Sequence, residues 1–394
     1  MIYLDNAATT PLHPKAKAVM LPYLAEAFAN PSSVYGPARQ VRKAIDDARQ
    51  TIANAISATA PEIFFTASGT ESDNWAIKGV LESPKAKGKH VITSAVEHPG
   101  VFNLCEFLQK HGYDITFVPV DEAGFVNPQD IENAIRPDTC LVSVMLANNE
   151  VGTIQPIADI GNITKKHNVL LHTDAVQAVG HMPVSVTDLG VDLLTLSAHK
   201  FYGPKGIGAL YVKKGTPIGP LLHGGAQERG RRAGTENVTG IVGMAAALKA
   251  SLEELPAEKK RLSALRDKLI QDILTTIPYT KLNGATGENR LSGSVNISFR
   301  FIEGESLLLH LDMLGFYAST GSACSSGALE PSHVLMAMGL THELANGAIR
   351  FSLGRENTED DIEKLLTALQ TTVQKLRDLS PLYDDFIAQQ KRGN

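Results

Sequence analysis

The stretch "LLTLSAHKFYGPKGIGALYV", Leu193 to Val212, holds two short apolar runs on either side of a polar turn that contains Lys200 and two glycines. "LLTLSA" and "GALYV" each have the length and composition of a strand. Working back toward Glu62, the same unit recurs. The runs "EIFFT", "HVITSA", "DITFVPV", "CLVSVML" and "VLLHTD" are separated by turns or by amphipathic helical patterns. Such alternation is the signature of an α/β sheet of mostly parallel strands. In sheets of that kind ligands collect at the carboxyl ends of the strands, so the polar residues that close each run are candidates for one shared site.

The rest of the chain bounds what that site can serve. At 394 residues, 43% hydrophobic and 20% charged, the chain has room for one large domain and one smaller one. A formal net charge of -5 and a pI near 6.2 provide no excess of positive field, which excludes nucleic acid as the primary partner. The opening "MIYLDNAATT" has no basic leader pattern, and no apolar run reaches the length of a membrane span. The expectation is therefore a cytoplasmic protein with no membrane partner. Three cysteines without metal-ligand spacing suit a reducing compartment and imply no metal site. Cys105 recurs with Val101, Leu104 and Leu108 at helical spacing, and Cys140 opens an apolar run, so both read as core residues. Cys324 differs, lying in "STGSACSSG" among serines and glycines, a setting that suits a reactive thiol.

A helical pattern runs from about Gly240 to Leu255, is broken by Pro256, and resumes from Ala257 to about Ile277. The proline marks the expected domain boundary: residues 14–256 form the large domain, and residues 1–13 and 257–394 the small one. Beyond it "GSVNISF" and "GFYAST" read as strands and "DDIEKLLTALQTTVQKLRDL" as an amphipathic helix, an α+β set. The first dozen residues could pack on either domain.

Lys200 follows an apolar strand and is hemmed in by glycines, the setting of a Schiff-base lysine; the alternative is a surface lysine capping a strand. Its company shifts the balance. Asp174 closes "VLLHTD", with Gln177 three residues on, and a carboxylate is what the pyridinium nitrogen of pyridoxal phosphate requires; an ordinary helix cap is the alternative for Asp174. "FFTASGTESDN" places Ser68, Gly69 and Thr70 between a strand and a helix expected to begin near Glu71, where backbone N–H groups can hold a phosphate; simple capping is the competing reading. His98, just before Pro99, offers an imidazole to stack on a ring, and Asn148 and Asn149 add uncharged amides at another strand end.

Taken in order, "DNAATT", "SGTESDN", "EHPG", "NNEVG", "HTDAVQ", "SAHKFYGPKG", "RAGTEN", "GSACSSG" and "IRFSLGR" resemble the cysteine desulfurases of the NifS/IscS type. These are pyridoxal-phosphate enzymes of the class V aminotransferase group. The resemblance implies the type I aminotransferase fold, with a large mostly parallel-sheet domain binding the cofactor and a smaller α+β domain. It implies that Lys200 carries the cofactor as a Schiff base, that Asp174 pairs with the ring nitrogen, that Gln177 bonds the ring hydroxyl and that His98 stacks on the ring. Thr70, Ser197 and His199 would hold the phosphate with the help of Gly69, and Thr235 would reach the phosphate of the other subunit of a homodimer. Asn149 and Arg350 would face the substrate, L-cysteine, with Arg350 gripping its carboxylate.

The implied reaction moves sulfur from L-cysteine to Cys324 as a persulfide, releases L-alanine, and passes the sulfur to an acceptor protein for iron-sulfur cluster, thio-cofactor or tRNA synthesis. Ser325 stands where the family often has threonine, which keeps the hydroxyl. The small, polar residues around Cys324 read as a tether, and the loop from Tyr317 to Pro331 is expected to be poorly ordered without a partner or substrate. Competing readings are a selenocysteine lyase or another class V aminotransferase or lyase, for which Cys324 would be idle. A non-catalytic scaffold is a further alternative, against which Lys200, Asp174 and His98 all speak.

Overall fold

A computed structural model describes residues 1–320 and 331–392. Strand β1 (Ile2–Tyr3) belongs to the smaller part of the molecule. The seven strands read from the sequence follow as β2 (Ile63–Thr66), β3 (His90–Ser94), β4 (Asp114–Val118), β5 (Thr139–Ser143), β6 (Leu170–Asp174), β7 (Leu193–Ser197) and β8 (Gly208–Val212). They form one sheet in the order β2-β8-β7-β6-β5-β3-β4. Within it β8 runs antiparallel to both its neighbours, and the pairs from β7 through β6, β5 and β3 to β4 are parallel. Helices cover both faces, so β2, β3, β5, β7 and β8 are buried along their whole length. Continuous apolar runs are the sequence form of strands covered in this way.

Four helices precede or follow the early strands: α1 (Pro14–Ala25), α2 (Gly36–Ala55), α3 (Gly69–Leu81) and α4 (Pro99–Lys110). Of these, α3 and α4 matter most for the site. The start of α3 lies two residues earlier than the expected Glu71, because the Ser68 hydroxyl accepts the Glu71 N–H (3.1 Å) and makes Ser68 the cap. Cys105 is buried in α4 and Cys140 in β5, both as core residues.

The smaller part contains an antiparallel sheet of β9 (Thr280–Leu282), β10 (Ser294–Phe299) and β12 (Ala348–Ser352), beside the parallel pair of β1 with β11 (Phe316–Tyr317). "GFYAST" thus yields a two-residue strand, and the buried strand "AIRFS", which carries Arg350, pairs antiparallel with β10. The helix Glu359–Arg377 closes this part, opened by a reciprocal capping box between Thr358 and Asp361.

One expectation is corrected. The helix Val238–Thr276 passes through Pro256 without a break. A proline inside a helix removes one hydrogen bond and crowds the carbonyl four residues back, costing about 3 kcal/mol. Packing on both sides outweighs that cost. Ile241, Met244, Ala247 and Leu248 lie in the core under the large sheet, whereas Leu262, Leu265, Leu269 and Ile273 lie in a second core with Val295, Phe299, Phe351 and Leu365. The amino-terminal residues touch both parts: Leu4 belongs to the second core, while the Thr10 hydroxyl donates to the His199 carbonyl (2.8 Å).

Candidate active site

A cavity of about 420 Å³ opens at the carboxyl ends of β6 and β7. Gly69, Thr70, His98, Asn149, Asp174, Gln177, Ser197, His199 and Lys200 all line it, so the residues that close separate strands converge as the sheet topology requires. Thr235 and Arg350 do not line it. Thr235 is exposed, and Arg350 is buried beside the cavity on β12. Cys324 and the expectation about its loop lie outside the described residues.

At one end the wall is the first turn of α3. By helix geometry the N–H groups of Gly69 and Thr70 have no carbonyl of their own helix to bond, and the helix dipole points its positive end here. A Cβ at residue 69 would sit 2.9 Å from Val176 Cγ2, so glycine is what lets this turn pack against the end of β6. The loop before it is fixed from outside. Arg232 donates to both oxygens of Glu71 (2.8 and 3.2 Å), and Glu71 accepts the Ala67 N–H (2.9 Å).

At the centre, Lys200 Nζ donates to the carbonyls of Ala7 (2.5 Å) and Ala8 (2.9 Å). Gln177 Nε2 donates to the same Ala7 carbonyl (3.0 Å). The segment "DNAATT" therefore forms part of the cavity wall, a role that no local pattern announced. His98 caps α4 through Nδ1, which accepts the Gly100 N–H (3.0 Å), and this assigns the ring proton to Nε2. Burial, with the positive charges of Lys200 and Arg350, pushes His98 down to about 4, so its imidazole is neutral at physiological pH.

At the other end stands Asp174, whose Oδ1 accepts the Val176 N–H (2.9 Å). Burial pushes its carboxyl above the ordinary range, against the opposing pull of that hydrogen bond and of Lys200. Asp73, on α3, also lines the cavity and is buried. Sequence reasoning missed it, as it missed Thr9, Met145 and Lys205 in the same wall.

Arg350 Nη1 donates to the Asn149 carbonyl (2.9 Å), and its Nη2 pairs with Asp5 (2.8 Å). Arg350 Nε and Asn149 Oδ1 are both buried without a hydrogen-bond partner among the described residues. An arginine donor and an amide acceptor left open side by side suit a ligand with a carboxylate and an amine. Two buried acids brace this region. Glu97 accepts from the Ser94 hydroxyl (2.5 Å) and the Met145 N–H (3.0 Å), and burial pushes it up to about 8. Glu150, pushed up to about 7 by burial, accepts from the Ser332 hydroxyl (2.5 Å). Among the described residues no group of His, Cys, Asp and Glu could hold a metal ion. No helix there is long and apolar enough to cross a membrane.

The chain is 53% identical over 381 residues to a protein of Methanosarcina thermophila named cysteine desulfurase IscS, covering 97% of this chain and 94% of that protein. Among solved structures, a NifS-like protein superposes with a TM-score of 0.89 at 39% identity, over 95% of this chain and 100% of that one. SspA in complex with cysteine superposes with a TM-score of 0.79 at 38% identity, over 90% and 99% of the respective chains. The aminotransferase class-V model matches residues 2–365, a span that takes in all three sheets and every described residue of the cavity wall. With a strand-end lysine, a buried aspartate on the neighbouring strand and a match of that extent, the chain belongs to the class V aminotransferase family.

Proposed function

We propose that this protein is a cysteine desulfurase that uses pyridoxal phosphate to transfer sulfur from L-cysteine to Cys324. The observation that carries the reading is one cavity holding a lysine after β7, a buried carboxylate at the end of the adjacent β6 and a helix start packed against the ends of the same two strands. The donor set fits the cofactor end to end. Gly69, Thr70, Ser197 and His199 would hold its phosphate, Asp174 its ring nitrogen, Gln177 its ring hydroxyl, His98 its ring face and Lys200 its aldehyde carbon. When bound, pyridoxal phosphate supplies an electron sink that makes the α proton of L-cysteine acidic and its Cβ–S bond breakable.

The protein's own residues do the remaining work. Arg350 and Asn149 orient the amino acid, Arg350 through its carboxylate. The Lys200 amine, once displaced by substrate, takes the α proton. The Cys324 thiolate attacks the substrate sulfur: an S–S bond forms and the Cβ–S bond breaks, with its electron pair left on the organic fragment. His98, neutral with its proton on Nε2, or Lys200 protonates that fragment, which leaves as L-alanine.

The same proposal includes a homodimer in which Thr235, exposed in its own chain, serves the neighbouring site, together with a sulfur-acceptor protein and a cytoplasmic setting. The domain division at Pro256, with residues 14–256 apart from 1–13 and 257–394, is supported by the two cores that meet along the helix Val238–Thr276. The test is to load the purified protein with pyridoxal phosphate and add L-cysteine. Alanine and a persulfide on Cys324 are expected, and Cys324→Ala should keep the cofactor spectrum but lose both products. Alanine release at the normal rate from Cys324→Ala would overturn the persulfide route.

A further inference from the structure

Asp73 is a buried carboxyl in the wall of this cavity that the reaction above does not use. Its Oδ1 has no hydrogen-bond partner among the described residues. Its surroundings point to the ring end. His172 Nε2 lies 3.7 Å from Oδ1, but His172 is held neutral by complete burial and is already engaged with Ser143 (2.8 Å) and Thr195 (3.0 Å), so the contact is no ion pair. On the far side, a Cβ built at Gly100 would stand 3.3 Å from Asp73 Oδ2 and 3.1 Å from His98 Nδ1, which places the carboxyl beside the imidazole expected to stack on the ring.

The charges facing Asp73 come from several elements. Asp174 and the neutral His172 lie on β6, Glu97 and the neutral His98 on the turn into α4, and Lys200 after β7. Lys200 favours the anion on Asp174. On Asp73, burial and the negative charges of Asp174 and Glu97 oppose ionisation, with only the nearby Thr195 hydroxyl favouring it. Two carboxyls in one buried space do not both ionise without a cation between them.

We propose that Asp73 is a positioning residue acting through Asp174: in the cofactor-free cavity the pair of carboxyls holds one proton, and gives it up to the ring nitrogen when the cofactor arrives. The proton leaves the carboxyl pair and appears on the ring nitrogen, so nothing beyond the cofactor is consumed. Asp73 then stands as a second anion behind the nitrogen and keeps it protonated. This rests on the reading of the cavity as a pyridoxal-phosphate site.

The experiment is calorimetric titration of the full chain, freed of cofactor, with pyridoxal phosphate in buffers of differing ionisation enthalpy, for the wild type and Asp73→Asn. Asparagine keeps the volume but removes the repulsion, so Asp174 is already ionised before binding. Asp73→Asn should therefore take up about one proton per site more than the wild type on binding. Proton release from Lys200 and from the phosphate is common to both proteins and cancels. Should Asp73→Asn not fold, infrared difference spectra of the wild type decide: a protonated-carboxyl stretch should vanish on loading. Equal proton uptake in the two proteins, or a difference spectrum with no loss of a protonated-carboxyl stretch on loading, would overturn the proposal. Failure of the wild type to bind pyridoxal phosphate, read as no borohydride-trapped adduct on Lys200, would instead overturn the cofactor reading on which it rests.

Discussion

The two ends of the cavity are built on opposite principles. At the α3 end the attraction for an anion comes from backbone N–H groups and hydroxyls near solvent, with Thr70 exposed. These groups need no desolvation and exist as soon as the helix forms. The contrasting groups are carboxyls withdrawn from water, Asp174 at the end of β6 and Asp73 one turn into α3, whose anionic forms are opposed by burial until a cation compensates them. One end is ready before its ligand arrives, whereas the other is completed by it. On the proposed cofactor reading, the difference teaches where affinity and where reactivity should reside: the helix start would anchor the phosphate, and the carboxyls would set the ring's electronic behaviour.

Asp174→Asn should break this contrast most sharply. Loss of the anion at the ring nitrogen is expected to lower alanine formation by about 10²- to 10⁴-fold, while the phosphate end still holds the cofactor. Rate and cofactor occupancy measured on the same preparation check this; equal losses in both would erase the division of labour. Thr70→Ala tests the opposite end. Removing one hydroxyl at the helix start should cost about 1 kcal/mol, roughly fivefold in cofactor affinity, with kcat at saturating cofactor nearly unchanged.

A third measurement concerns stability. Glu97, pushed up to about 8 from an ordinary value of 4.5, holds a proton in the folded chain that the unfolded chain gives up. Its contribution to stability is therefore fully present below 4.5 and is lost as pH rises through 8. In thermal melts Glu97→Gln should gain on the wild type as pH is raised across that window. A constant difference in melting temperature would show that the buried acid does not titrate. The smallest effect is ionic. Raising salt should weaken cofactor binding by a small factor through the exposed phosphate end, and a further loss of affinity in Asp174→Asn should show the same salt slope.

Much of this was legible in the sequence, for a definable reason. Strands buried along their length leave continuous apolar runs, and the residues that close or follow such runs, Asp174 and Lys200 among them, are found by reading to the end of each run. What was missed depends on contacts distant in sequence. Lys200 and Ala7 are 193 residues apart, and nothing in "DNAATT" announces a carbonyl aimed at a lysine. Asp73 sits one turn inside a helix whose cap drew attention to Ser68 and Gly69. At Pro256 the local rule calls for a break, but two cores, one on each half, hold the helix together.

The strand at residues 2–3 and the loop that follows it have a consequence for biosynthesis. Ile2 and Tyr3 pair with Phe316 and Tyr317, Asn6 bonds the Ser352 carbonyl (2.9 Å), and Asn357 bonds the Tyr3 carbonyl (3.0 Å). The carbonyls of Ala7 and Ala8 that steady Lys200 are thus fixed by residues translated about three hundred positions later. On the ribosome the large sheet can form first, with its lysine in place but one wall missing. The cavity closes only after residue 357 has emerged, so the proposed loading of the lysine is expected to follow synthesis of the smaller part rather than of the large sheet.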